Sequence, residues 1–361
     1  MSSSATDTTG RRRDESDAAS VRPRTPVPTR FARRRIGIVV LIILVVLAVF
    51  LSACFGTRDI PFATTWQAVV AFDPESSEHL LVVNQRIPRA LISVLVGLCL
   101  GVAGAVMQAL TRNPLAEPGI LGVNAGSALF IAFGIALFDW TDPVHYMWLG
   151  LIGAAVAGAA VYLLGGVRRG TNPVRLVLAG AALTVVLGAL TQLVIINGLE
   201  QVFDRYRHWM VGSVAGRGYE VLIPVSLLAA VGLILALALA RPLDSAMLGE
   251  DLSRSLGGNP NRVWALAGIA VIILAGSATA AAGPIAFLGL AAPHLARLIA
   301  GADHRWVLPY SGLLAALIIV VADTLGRVIP PKGEVSVGIM VALLGGPFFV
   351  YLVRTRRIAK L

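Results

Sequence analysis

The sequence predicts an all-α, polytopic membrane protein with about ten transmembrane helices. Three observations carry this. Apolar residues fill 57% of the 361 positions and charged residues only 14%. The apolar residues are gathered into blocks of ~20, the length a helix needs to cross ~30 Å of hydrocarbon. Lys and Arg outnumber Asp and Glu, 30 to 20, and concentrate in the connections of one side. A net charge of +10 can mark a nucleic-acid binder, but basic residues distributed this way are an orientation signal.

Read in order, the blocks give spans at about 36–56, 87–110, 120–138, 146–165, 174–197, 221–240, 261–281, 284–300, 307–329 and 335–353. An even number of spans places both termini on one side. The runs Arg33, Arg34, Arg35 and Arg354, Arg356, Arg357 make that side cytoplasmic. Arg112, the Arg168–Arg169 pair, the Arg241 to Arg262 connection and His304 with Arg305 fall on the same side.

Residues 1–35 are rich in Ser, Thr, Pro, Arg and Asp, without apolar periodicity, and are expected to form a disordered basic cytoplasmic tail. The apolar block after them lacks a small-residue cleavage signature, so a retained first helix is expected rather than a signal peptide. Residues 36–361 then form the ten-helix membrane domain. Cys54 and Cys99 lie within apolar blocks, in a pattern that suggests neither a metal site nor a disulfide framework. The 37 glycines recur at close spacing, as in GLCLGVAG (97–104), and suit close helix packing within lipid. The second and seventh spans are faintly alike and run in opposite directions, as an inverted repeat would.

Function should sit where the apolar pattern is interrupted. TRNPLAEPGILGVNAGS (111–127) carries Pro114, Pro118, Gly119 and Gly122 in quick succession, so the backbone must turn. Asn113 and Glu117 there fit an Asx-type turn and helix start, or a functional loop. The cytoplasmic connection at about 241–262 contains Leu248, Leu252 and Leu256 at four-residue spacing, one face of a short helix that Gly257 and Gly258 end. Glu250 and Asp251 precede Arg254, the order the helix dipole favours. Such a helix is too short to span and too apolar to be left bare; it needs headgroups or a protein groove.

On the other side, the long connections are 57–86 and 198–220. Tyr206, Trp209 and Tyr219 suit an interfacial belt, or a short helix narrowing an external vestibule. Three cations stand at outer span ends: Arg86 and Arg89 in QRIPR, and Arg327. They could snorkel, pair with Asp323 four residues before Arg327, or capture carboxylates of a docking protein. The two lysines, Lys332 and Lys360, lie in no GxxxxGK[ST] motif, and neither HExxH nor GxSxG occurs. The chain is expected not to be an enzyme; ATP, if used, is hydrolysed by another chain.

The run RIPRALISVLVGLCLGVAGAVMQALTRNPLAEPGILGVNAG (86–126), LGEDLSRSLGG (248–258), GPIAFLGLAAPHLARLIAGADHRWVLPYSGLLAALIIVVADTLGR (283–327) and EVSVGIMVALLGGPFFVYLVR (334–354) resemble, in order and spacing, the FecCD-type permeases. These are the transmembrane subunits of iron-siderophore and vitamin B12 ABC importers. The resemblance covers the chain from about residue 36 and implies a vitamin B12 importer permease-like fold, of the type II ABC importers. It implies a second permease subunit, identical or related, and two ATP-binding subunits that hold the ATP and Mg. It also implies an extracytoplasmic substrate-binding protein and a place in the bacterial cytoplasmic membrane. No cofactor is expected on this chain. By position, the resemblance gives Arg86, Arg89 and Arg327 a docking role toward the binding protein, and Asn113 and Leu115 a place at the cytoplasmic gate. Leu248, Gly249, Glu250, Leu252, Leu256 and Gly257 become part of the helix that couples to the ATPase. An iron-siderophore is the expected cargo, with haem and cobalamin behind it. The rival class, an ion-coupled secondary transporter, usually carries ionisable residues in mid-span, and this sequence has almost none.

Overall fold

The computed structural model describes residues 30–138, 140, 142–165, 173–247, 249–255, 257–331 and 333–355. Residues 1–29, Arg168, Arg169, Leu248, Leu256, Lys332, Arg356, Arg357 and Lys360, on which several expectations rest, lie outside the described residues.

Helices are the only regular elements among the described residues. They are α1 (Arg30–Cys54), α2 (Phe62–Val70), α3 (Ser77–Leu81), α4 (Ile87–Thr111), α5 (Val123–Phe138), α6 (Pro143–Leu164), α7 (Pro173–Ile196) and α8 (Glu200–Met210). There follow α9 (Tyr219–Ala238), α10 (Ala240–Met247), α11 (Glu250–Ser255), α12 (Pro260–Ala282), α13 (Leu288–Ala300), α14 (His304–Val328) and α15 (Val337–Thr355). Seven stretches are long and apolar enough to cross a membrane, and Val123–Phe138, Leu288–Ala300 and Val337–Val350 are shorter apolar helices. These ten correspond one for one to the apolar blocks.

The chain is organised around α4. A π-helical turn, Val82–Arg86, joins it to α3, so one rod runs from Ser77 to Thr111. In its most apolar stretch 78% of residues are buried, against 17% in α7, which puts α4 at the centre and α7 at the periphery. α4 packs on α14, α12, α13, α9 and α1. Its glycines make this possible. A Cβ on Gly97 would collide with the backbone of Ala316, one on Gly101 with the Ser311 carbonyl, and one on Gly104 with Gly289. In lipid, where apolar burial brings helices together only weakly, such close backbone approach supplies the packing. Large apolar side chains left exposed, such as Val46 and Leu47 on α1, Val185 and Leu193 on α7, and Leu227 and Ile234 on α9, suit a hydrocarbon environment.

Two expected spans are shortened for visible reasons. The third begins at Val123, because Pro118–Leu121 forms a 3-10 turn that ends in Gly122 at φ 71°. The eighth begins at Leu288, after Gly283 and Phe287 both take positive φ, 77° and 66°, the Phe in the left-handed conformation. A left-handed Phe costs roughly 1–2 kcal/mol, so the break between α12 and α13 is held by its surroundings.

Candidate functional site

At one end of the bundle, Arg86, Arg89 and Arg327 come together. With Arg217, Glu220 and Glu334 they line a cavity of about 390 Å³ bounded by the connections after α1, before α4 and before α9. Arg86 and Arg327 are buried, and their guanidinium groups turn inward onto the last turn of α1. Arg86 Nη1 donates to the carbonyls of Ala53 (2.8 Å) and Cys54 (2.7 Å), and its Nη2 donates to Arg58 O. Arg327 donates to Phe55 O (3.1 Å), Ser52 O (3.1 Å) and Ser52 Oγ (2.6 Å). A helix end leaves four carbonyls without intrahelical donors and carries partial negative charge, so two forked cations there satisfy both needs.

Arg89 is more open. Its Nε and Nη2 grip Asp323 (3.0 and 2.8 Å) and its Nη1 reaches Glu334 Oε2 (2.8 Å). Asp323, itself buried, also meets Arg327 Nε at 3.2 Å. The expected Asp323–Arg327 pair is therefore present, and Arg89 shares the same carboxylate. Arg217 donates to the Tyr146 hydroxyl (3.0 Å) with its guanidinium 5.5 Å from that ring. Its place in this cluster had no sequence signal beyond a basic residue in an outer connection. Nor had that of Glu334, which meets Arg89 across 245 positions.

At the opposite end, α4 closes with Arg112 left-handed at φ 50°. Asn113 N donates to Gln108 O (3.2 Å) and Arg112 N to Ala109 O (3.3 Å), the Schellman pattern that usually takes glycine. Asn113 Oδ1 then accepts from Leu115 N at 2.9 Å, so the Asx turn is present, and the Leu115 side chain is left partly exposed. Burial raises the Glu117 carboxyl above its ordinary range.

The connection at about 241–262 folds as two helices where the sequence suggested one. α10 follows α9 almost without a break and buries Ala240, Leu243 and Ala246 at three-residue spacing. After Gly249 (φ 109°) comes α11, ended by Gly257 N to Arg254 O (2.9 Å) and Gly258 N to Ser253 O (2.9 Å). Leu252, at 49% exposure, points away from the bundle while Ser253 is buried. Glu250 opens the helix.

A family model described as the FecCD transport family matches residues 43–355. The chain belongs to the FecCD transport family. Among the curated relatives of this FecCD chain is the "Probable siderophore transport system permease protein" of Bacillus subtilis (strain 168), 40% identical over 328 residues, 90% of this chain and 97% of the relative. The ferric enterobactin transport system permease protein of Escherichia coli (strain K12) is 41% identical over 329 residues, 90% and 96% of the two chains. Among solved structures, a metal-chelate type ABC transporter in an inward-facing conformation superposes with a TM-score of 0.79 at 25% identity, over 89% of this chain and all of that one. The FecCD chain is thus a multi-pass membrane permease of the iron and siderophore transport class.

Proposed function

We propose that this permease is the transmembrane subunit of a bacterial ABC importer that carries an iron-siderophore complex into the cytoplasm. A separate pair of ATP-binding subunits seats on α11, a second permease subunit completes the pathway, and an extracytoplasmic binding protein delivers cargo at the arginine-lined cavity. Both termini are cytoplasmic, following the basic residues. The observation that supports this most is α11, a six-residue helix held between glycines and presenting Leu252 outward. A short exposed helix that presents a leucine is the part that a groove on a neighbouring subunit would take. The siderophore relatives support the cargo class.

The geometry divides the docking arginines. Arg89 keeps some exposure and borders the cavity, so it is the first contact for a partner's carboxylate. Arg86 and Arg327 hold the floor beneath it through α1. Leu115, exposed beside the turned Asn113, forms part of the cytoplasmic gate. The ion-coupled alternative is disfavoured because the buried charges near the span ends are already engaged: Arg89 and Arg327 by Asp323, Arg297 by Gln108 (2.5 Å).

Replacing Leu252 by Ala and Leu256 by Asp together tests the coupling. Uptake of ferric siderophore by a deletion strain should be lost while the permease still accumulates in the membrane and still docks the loaded binding protein. Undiminished uptake removes α11 from the mechanism.

A further inference from the structure

The coupling segment is joined by the chain to α9 and α12, yet its polar contacts lead elsewhere. Asp244, on α10, accepts from the backbone N–H of His304 (3.2 Å) and lies 2.5 Å from its Nδ1, at the first residue of α14. His304 is buried. On its other side, α10 offers the Ala246 carbonyl to Arg112 Nη2 (3.0 Å), at the end of α4. Arg112 makes that bond from a left-handed backbone, a conformation that disfavours a side chain and is retained where a contact requires it. So α10 is fastened at two points, one to α4 and one to α14.

Those two helices form one body. Gly97 and Gly101 of α4 leave no room for a Cβ against Ala316 and Ser311 of α14, and Gly312 of α14 packs on Leu98 and Val102. At the far end the same pair is locked by Arg89 to Asp323, and both helices clamp the end of α1 through Arg86 and Arg327. A 25-residue helix is roughly 37 Å long, so the pair reaches from the cytoplasmic fasteners to the outer cavity in one rigid step. Tightly packed helices move as units and do not deform continuously, which is what transmission needs.

We propose that the α4–α14 pair is the strut that carries motion of the coupling segment to the outer cavity, with Arg112, Asp244 and His304 as the positioning residues that fasten the segment to it. The inference rests on the importer reading above. Motion that reached the outside only along the chain, through α9 and α12, would not need these contacts.

The test uses the assembled complex of this permease, its partner permease and the ATPase, reconstituted in lipid. Spin labels are placed on exposed outer positions of this chain, at cysteines replacing Glu200 and Pro331. Their separation is measured without nucleotide and after trapping with ATP and vanadate, alongside basal ATPase activity. In the unmodified complex, trapping shifts the distance. In Arg112→Ala with Asp244→Ala, the shift is lost while ATPase activity and vanadate trapping persist, a split that general misfolding does not produce. Arg112→Lys with Asp244→Asn, which keeps a donor and an acceptor, restores the shift. A shift that survives the double alanine variant overturns the strut alone. A rescue variant that stays silent overturns the positioning role of these contacts. An unmodified complex that hydrolyses no ATP overturns the importer reading, and the strut with it.

Discussion

The arginine cavity and the α11 segment, at opposite ends of the bundle, are built in contrasting ways. At the outer cavity, Arg86 and Arg327 are buried and every guanidinium of the trio bonds to a carbonyl or a carboxylate. At the α11 segment, Leu252 is open, glycines at 249 and 257 take positive φ, and the helix has only six residues. Buried and bonded groups build architecture, because a charge in a dry site is tolerated only with partners. Exposed apolar groups on a short, glycine-bounded helix add little to the fold and are available to another chain. Substitutions at the outer end should therefore act first on stability, and those at the inner end on coupling.

The sharpest way to break this contrast is Asp323→Ala. It removes the carboxylate shared by Arg89 and Arg327 and leaves two confined cations facing each other. Removing one partner of a buried ion pair costs about 3–5 kcal/mol. The expected result is poor accumulation and a large fall in the melting temperature of the detergent-solubilised protein. Near-normal stability would show that the cluster is solvated and adds little to the fold.

Gly101→Val comes next. The added side chain meets the Ser311 carbonyl, and overpacking costs typically ~1–3 kcal/mol. Because it also parts α4 from α14, thermal stability and the nucleotide-driven outer motion should fall together. Leu252→Ala should do the reverse: exposed substitutions of this kind stay within about 0.5 kcal/mol. Uptake should fall while the melting temperature holds.

The spans were legible because lipid imposes one rule on all of them, some ~20 apolar residues per crossing. That rule also explains what was misplaced. The second span is part of a rod that begins at Ser77, and polar residues Asn84, Gln85 and Arg86 hid its outer third. The eighth starts four residues later than hydropathy suggested, since backbone conformation at Gly283 and Phe287 leaves hydropathy unchanged. A short helix ending at Gly257 was legible from its terminal glycines, whereas α10 was hidden because its small apolar face, Ala240 to Ala246, reads as the tail of α9. Arg86, Arg89 and Arg327 could be singled out in the sequence, and Asp323 as a partner of Arg327, but their other partners could not. Glu334 and the α1 carbonyls are far away in the chain, and a carbonyl has no side-chain signature. Asp244 and His304, 60 positions apart, form a contact that only the folded backbone defines.

A modest effect at the end of the bundle opposite the arginine cavity tests how far that end is held by helix capping. Asp303 caps α14, accepting from Arg305 N at 3.0 Å, with two further bonds from the Arg305 side chain. Those side-chain bonds, above all, hold the Asp303 carboxyl below its ordinary range. A lowered folded-state value means that the contribution is complete above the unfolded pKa of ~3.9 and is lost as pH falls through the lower folded value. Asp303→Ala should therefore cost about 1 kcal/mol at neutral pH, the usual worth of such a cap. The gap in melting temperature between the two proteins should narrow as the solution is taken below about pH 4. A gap that stays constant with pH would assign the loss to packing. A gap of zero at neutral pH would show that Asp244, accepting from His304 N, caps this helix without Asp303, which would place more of the architecture at this end on the α10 fastener.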